Sequence, residues 1–335
     1  MRLGIAIEET WRFFEEMYED LSRHHQTSLF KRRTLNFPVF HTRINRYLFD
    51  TDMQSFMRKN DVVFFEWASG LLASASQLRK QSGIVTRLHR YEMYQWIDKI
   101  NWEAVDKIIL VSQVKKQEFI GHFPEQAEKI VVIPVAIDIN KFQPKPKKFN
   151  GDIGILCDLK PRKRVYELIL SFFEMTKSLN GLHLHIGGGE QELFADYHLA
   201  IQNLIKKLNL EDKVTLYGNI NDPENWYQNI DIFISNSYSE GLQVAPMEAM
   251  ASGCYCLSHH WTGAEQLVPE ENLFYTNREM QEKILEYCDS SEAHKQSLRE
   301  QMRTIVIENF NIEKTKTQIR AVIEEVGQLK YYEKH

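Results

Sequence analysis

The chain has 335 residues, 43% of them apolar and 26% charged, with a net charge of −5. That length exceeds one ordinary core and suits two domains of about 150 residues each, while the composition excludes a disordered chain. No apolar run approaches the roughly 18 residues of a membrane span, four scattered cysteines exclude a disulfide framework, and the opening MRLGIAIEETWRFFEEM lacks a secretory-signal pattern.

In chain order, short Val- and Ile-rich runs alternate with helical stretches. The first half gives candidate strands LGIAI (3–7), DVVFFE (61–66), GIVTRL (83–88), KIILVS (107–112) and KIVVIP (129–134). Continuous apolar strands of this kind predict a parallel sheet covered on both faces. QPKPKKFNGD (143–152) interrupts the pattern with two prolines and several lysines and reads as a linker. The pattern restarts with IGILC (153–157), HLHIG (183–187), KVTLYG (213–218), DIFISNS (231–237) and CYCLS (254–258), with helices expected over 164–179 and 192–208. Residues 312–335 read as one amphipathic helix, with Ile312, Ile319, Val322, Ile323 and Val326 on one face. The expected fold is α/β, two doubly wound, Rossmann-like domains facing each other across a cleft. Their expected bounds are 1–145 and 146–311, with the helix 312–335 crossing back to the first domain.

Charge divides with the domains. Through Lys148 there are 23 Lys and Arg against 18 Asp and Glu; after it, 18 against 28. Different partners are expected for the two halves, and basic clusters such as FKRRT (30–34) suit an anionic acceptor or membrane surface, although for any single cluster a solvated charged face is the plainer reading. The expected location is the cytoplasm, peripheral on the inner face of a membrane, with no nucleic-acid partner.

The stretch SEGLQVAPMEAMASG (239–253) carries the chemistry. It follows a buried strand, so Glu240 lies at a carboxyl edge, where open α/β sheets bind ligands. Pro246 suits a first helical turn and Gly253 a helix stop, which places Glu248 in the first turns of a helix. The N–H groups of 241–245 then make an anion site between two carboxylates. A nucleotide sugar has the matching shape, with hydroxyls at both ends and a diphosphate between. The plainer reading makes Glu248 a dipole-favoured helix residue and Glu240 a solvated loop residue.

Glu-x7-Glu followed by EAMASG resembles the signature of the family 4 retaining glycosyltransferases, which have the two-domain GT-B fold. LCDLKPRKRVYELILSF (156–172), HIGGGE (185–190), the run 216–241 and TGAEQLV (262–268) follow the family's order, as do TRLHRYEMY (86–94) and VIPVAIDINKF (132–142). The resemblance implies that Glu240 contacts donor sugar hydroxyls, that Glu248 holds the ribose diol, and that Lys163, with Arg162 or Arg164, neutralises the leaving diphosphate. It implies that His89 reaches the sugar from the opposite domain. Gly188, Gly218, Asn219, Ile220, Gly241, Leu242, Gln243 and Val244 complete the implied donor site. A cation at the phosphates replaces a metal, so no metal and no cofactor beyond the nucleotide-sugar substrate is expected. The implied reaction is retaining, metal-independent transfer to a glycan, lipid-linked or small-molecule acceptor in surface-polysaccharide or glycoconjugate synthesis. Three departures stand out: Asp158 replaces the family's arginine and would repel a diphosphate it faced; Gln243 puts a polar side chain at the sugar position; and Glu8, Glu9, Thr10 and Trp11 replace the first Gly-Gly loop. They favour the alternative, a non-catalytic sugar-nucleotide-binding protein on the same fold; among enzymes, the alternative is an epimerase.

Other signals are weaker. Gly187–Gly189 lack the third glycine of a dinucleotide fingerprint. His183 and His185 share a strand face without a third metal ligand. Cys254 and Cys256 read as strand residues, and His259, His260 and Trp261 as either cleft or loop residues.

Overall fold

The computed structural model describes residues 1–11, 14–35 and 41–334. Two compact units emerge, Met1–Pro134 with Glu313–His335, and Val135–Ile312.

The first unit runs β1 (Arg2–Ala6), α1 (Glu15–His24), β2 (Gln26–Leu29), α2 (His41–Lys59), β3 (Val62–Phe65), α3 (Gly70–Ala75), β4 (Gly83–Leu88), α4 (Arg90–Gln95), β5 (Lys107–Leu110), α5 (Gln113–His122) and β6 (Ile130–Val132). Its strands pair in parallel in the order β2-β1-β3-β4-β5-β6. The central strands VVFF and GIVTRL are buried at every position because apolar layers cover both faces. Val63 and Phe65 face Met53, Met57 and Leu72, while Val62 and Phe64 face Met17 and Leu21. β2 escaped the sequence reading. As an edge strand with half its positions exposed, QTSL carries no apolar run to betray it.

The second unit runs β7 (Asp152–Leu156), α6 (Val165–Met175), β8 (His183–Gly187), α7 (Ala195–Lys207), β9 (Val214–Gly218), α8 (Pro223–Tyr227), β10 (Ile232–Ser235), α9 (Val244–Ala251), β11 (Tyr255–His259), β12 (Leu273–Phe274), α10 (Asn277–Asp289) and α11 (Glu292–Asn309). The order is β12-β11-β10-β7-β8-β9, again parallel. The two-residue β12 was also missed.

The boundary falls at Pro134, ahead of the expected 145, because the segment after Pro134 is bonded into the second unit. Ile137 N–H donates to Phe310 O at 3.0 Å, and Arg303 donates to Phe142 O at 3.0 Å. The expected linker is likewise tied down. Buried Asp231 accepts N–H bonds from Asn150, Gly151 and Asp152 at 2.8, 3.0 and 3.2 Å. The last helix, α12 (Ile312–Lys334), buries Ile319, Val322, Ile323 and Val326 against the first sheet. Each such side chain contributes roughly 1.5–3 kcal/mol of apolar burial. Among the described residues, no helix is long and apolar enough to cross a membrane.

Candidate active site

Each sheet reverses its winding once, and the carboxyl ends of the strands flanking that reversal form a natural ligand crevice. In the second unit the reversal lies between β7 and β10. The loop after β7 delivers Arg162, Lys163 and Arg164; the loop after β10 delivers Glu240.

These loops are tied together by charge. Lys163 Nζ lies 2.7 Å and Arg162 Nη1 2.5 Å from the same Glu240 oxygen, Oε1. Arg162 also donates to Ser239 O, and Tyr238 N–H donates to Arg162 O at 3.3 Å. Glu240 is only 8% exposed. Burial pushes its carboxyl up, but Lys163 and Arg162 outweigh that and hold its pKa near 2. The carboxylate is therefore charged across the physiological range. The reading of Glu240 as a solvated loop residue fails on this burial.

Arg164 is placed differently. It sits in the left-handed region at φ 53° just before α6, its carbonyl accepts from Asn236 Nδ2 at 2.9 Å, and its guanidinium donates to Asn277 Oδ1 at 3.2 Å. Asp158 is half exposed and held by Lys160 at 3.0 Å. Its charge is countered within its own loop by a lysine that the sequence reading passed over.

The glycine turn after β8 packs on the loop after β9. Gly188 has φ 130°, and a Cβ there would lie 1.7 Å from Cys157 O. A Cβ on Gly189 would lie 2.3 Å from Asn219 Oδ1, and one on Gly187 3.0 Å from Ile220 Cγ1. Gly188 N–H donates to Gly218 O at 2.7 Å, and Gly218 itself has φ 67°. Only glycine allows both this approach and these backbone angles. Gly188, Gly218, Asn219 and Ile220 are thus brought together beside the loop after β7.

Past Glu240, Gly241 is buried and Leu242, Gln243 and Val244 are half-buried. Gln243 caps α9, and its amide is committed to two serines. It accepts from Ser235 Oγ and donates to Ser237 Oγ at 3.1 Å. Glu248 lies in the second turn and accepts from Tyr227 Oη at 2.9 Å. Tyr227 is fully buried, which together with the Glu248 charge raises its phenol pKa well above the ordinary value. Nothing local in ENWYQNI marks Tyr227; only the packing of α8 on α9 brings it to Glu248.

In the first unit the reversal lies between β1 and β3. Glu66, just past the end of β3, is fully buried and pairs with Arg87, 3% exposed, whose Nε lies 3.0 Å away. His89 Nε2 is 3.5 Å from Glu66 Oε1 and makes no hydrogen bond; the ring lies against Trp67 with centroids 4.2 Å apart and planes tilted by 34°. His89 also opens α4, its N–H donating to Glu92 Oε1 at 3.2 Å in a capping box. Burial lowers the imidazole pKa, with Glu66 opposing. Burial likewise raises the Glu92 carboxyl to about 8. Glu9 accepts from Tyr91 Oη at 3.0 Å. Glu66, Arg87 and Glu92 were missed, although a glutamate ending the run VVFF was a visible signal.

His183 and His185 serve the sheet. His185 bridges Asp152 at 2.8 Å and Tyr217 at 2.7 Å, and His183 meets Thr215 at 2.8 Å. Cys254 and Cys256 are buried, with burial pushing both thiols up, Cys254 to about 12. His260 stacks on Tyr275 at 4.5 Å, beyond the end of β11. Among the described residues, no group of three or more His, Cys, Asp or Glu is arranged to hold a metal ion.

Two parallel doubly wound α/β units, each with its reversal point lined by charged residues, define the architecture of the GT-B glycosyltransferases, and solved structures agree. HepE from Anabaena, in complex with UDP and glucose, matches 96% of this chain and 99% of its own at TM-score 0.78 and 18% identity. Sucrose-phosphate synthase from Thermosynechococcus elongatus matches 97% and 99% at TM-score 0.75 and 15% identity. The family described as glycosyl transferases group 1 matches residues 137–323, more than half the chain, and the chain belongs to that family. Two curated relatives are the UDP-Gal:alpha-D-GlcNAc-diphosphoundecaprenol alpha-1,3-galactosyltransferase of Escherichia coli and the alpha-monoglucosyldiacylglycerol synthase of Streptococcus pneumoniae. The first is 27% identical over 53% of this chain and 49% of its own length, the second 23% over 67% and 54%. The chain thus spans about half the length of these relatives.

Proposed function

We propose that the chain transfers a sugar from a nucleoside-diphosphate donor, held by the second unit, to a hydroxyl of a glycan or lipid-linked acceptor held by the first. The observation that carries this reading is the Lys163–Arg162–Glu240 cluster at the second sheet's reversal point. In the reaction, the bond from the anomeric carbon to the diphosphate breaks and a bond to the acceptor oxygen forms. The acceptor's proton leaves with the diphosphate. Charge grows on the departing phosphates, so fixed cations there lower the barrier directly. Lys163 supplies one from a loop that needs no rearrangement, and Arg162 a second. Glu240 takes the sugar hydroxyls, and Glu248, oriented by Tyr227, the ribose diol. Retention of configuration and independence of metal belong to the same proposal, since the cations at the diphosphate do the work of a divalent ion.

The UDP seen in HepE and the UDP-galactose and lipid diphosphate named for the Escherichia coli relative support a UDP-sugar and a lipid-linked acceptor as first candidates. Exposed Lys31, Arg43 and Arg46, with Arg32 and Arg33 partly offset by Glu8 at 3.5 Å and Asp52 at 2.5 Å, are the residues that would meet an anionic membrane. Co-sedimentation with anionic but not neutral vesicles, weakened by salt, tests that contact.

The test of the activity is release of diphosphate from UDP-, GDP- and ADP-sugars by the purified chain, with and without EDTA. Slow, EDTA-resistant release from one donor, abolished in Lys163→Met, is the expected result. Tight nucleotide binding with no release under any acceptor mixture would replace the transferase with a binding protein. Loss of release in EDTA would overturn the metal-independent mechanism.

A further inference from the structure

We propose that Glu240 competes with a donor's diphosphate for Lys163 and Arg162, and that the diphosphate displaces it from them as the donor binds. The inference rests on the donor reading above and adds an order of events to it.

One carboxylate oxygen, Glu240 Oε1, receives both cations, at 2.5 and 2.7 Å. The other cations of the same loop are engaged elsewhere: Lys160 with Asp158 and Arg164 with Asn277. A diphosphate entering at this reversal point therefore meets two cations already neutralised by a nine-tenths-buried carboxylate. Three anionic groups cannot share two cations without leaving one of them buried and uncompensated. The exchange is carboxylate for phosphate, and a diphosphate, with more oxygens and more charge, is the stronger competitor.

The backbone is built to stay in place during that exchange. Tyr238 N–H is bonded to Arg162 O, Asn236 Nδ2 to Arg164 O, and Gln243 spans Ser235 and Ser237. Only the Glu240 side chain has to turn. Its carboxylate is freed within one side-chain length of the phosphates, where the sugar joined to them begins. Sugar recognition by Glu240 thus becomes available only after the diphosphate has docked. A free monosaccharide, which brings no phosphate, leaves Glu240 closed on its cations.

The experiment is calorimetric titration of UDP and of uridine into the wild-type chain, Glu240→Gln and Glu240→Asp, each checked for a native melting transition. Glutamine keeps the shape and removes the competing charge; aspartate keeps the charge and withdraws it by one methylene. The expected result is UDP binding about tenfold tighter, or more, in Glu240→Gln and severalfold tighter in Glu240→Asp, with uridine changed by less than about twofold and sugar transfer lost. UDP affinity that is unchanged or weaker in both variants, with uridine still bound, would overturn the displacement and leave the donor reading standing. If neither UDP nor uridine binds any folded form, the donor reading falls and this inference with it. Should Glu240→Gln fail to fold, Glu240→Asp alone decides.

Discussion

Glu66 and Arg87 offer the sharpest test of how the first unit is held together. Both are almost completely dry, and Arg87 Nε and Nη2 both donate to Glu66 Oε1, leaving Oε2 without a hydrogen-bond partner. A pair so incompletely satisfied repays little of its desolvation, so its net contribution is small. Breaking it is another matter, because Glu66→Ala leaves a buried guanidinium with no counter-charge. The expected loss is about 3–5 kcal/mol. For a unit of this size that converts to a fall in melting temperature of roughly 6–20 °C. The double variant Glu66→Met, Arg87→Leu removes both charges, fills the volume, and is expected to melt within a few degrees of wild type. Calorimetry of the wild type, Glu66→Met, Arg87→Leu and the double variant forms a thermodynamic cycle that isolates the pair. A loss below about 1 kcal/mol in Glu66→Ala would refute the reasoning, since it would mean that water reaches the pair.

Gly188→Ala forces a side chain onto Cys157 O at a φ that L-residues avoid; a loss of about 3 kcal/mol or more in denaturant titration of the second unit is expected. Glu92 gives a pH signature. Its folded carboxyl is raised to about 8, so folding favours the protonated form. Its contribution is complete below the unfolded carboxyl pKa of about 4.3 and is lost as pH rises through the folded value, at up to about 1.4 kcal/mol per pH unit. Between pH 5.5 and 8, wild type should therefore lose stability relative to Glu92→Gln, and parallel melting curves would remove Glu92 from the account. Tyr227→Phe deletes the bond to Glu248 without changing volume. Nucleotide binding should weaken by about 1 kcal/mol with little change in melting temperature, as fluorescence titration would report.

The architecture was legible because both sheets are parallel. The inner strands carry enough buried apolar residues that GIVTRL and HLHIG match β4 and β8 to the residue, whereas β2 and β12 lie at sheet edges and carry too little apolar sequence to be seen. Glu240 and Lys163 were legible through motif and strand position, although nothing in the sequence revealed that they are bonded to each other. Arg162 and Arg164 could not be told apart, since their roles depend on a left-handed residue at 164 that turns one guanidinium toward Glu240 and the other toward Asn277. Tyr227, Glu66 and Arg87 act through contacts 20 or more residues away, which no local pattern encodes.

The second unit is an insertion within the first. It begins and ends at adjacent positions, where Ile137 N–H donates to Phe310 O and Ile312 N–H donates to Ile137 O, both at 3.0 Å. The helix that completes the first unit's core comes after the entire second unit in the chain. During synthesis the inserted unit has all its strands and can mature while the earlier one still exposes the faces of Leu3, Ile5 and Val62 that Ile319 and Ile323 later cover. The protein made first is finished last, and that interval is when the nascent chain most needs protection from aggregation.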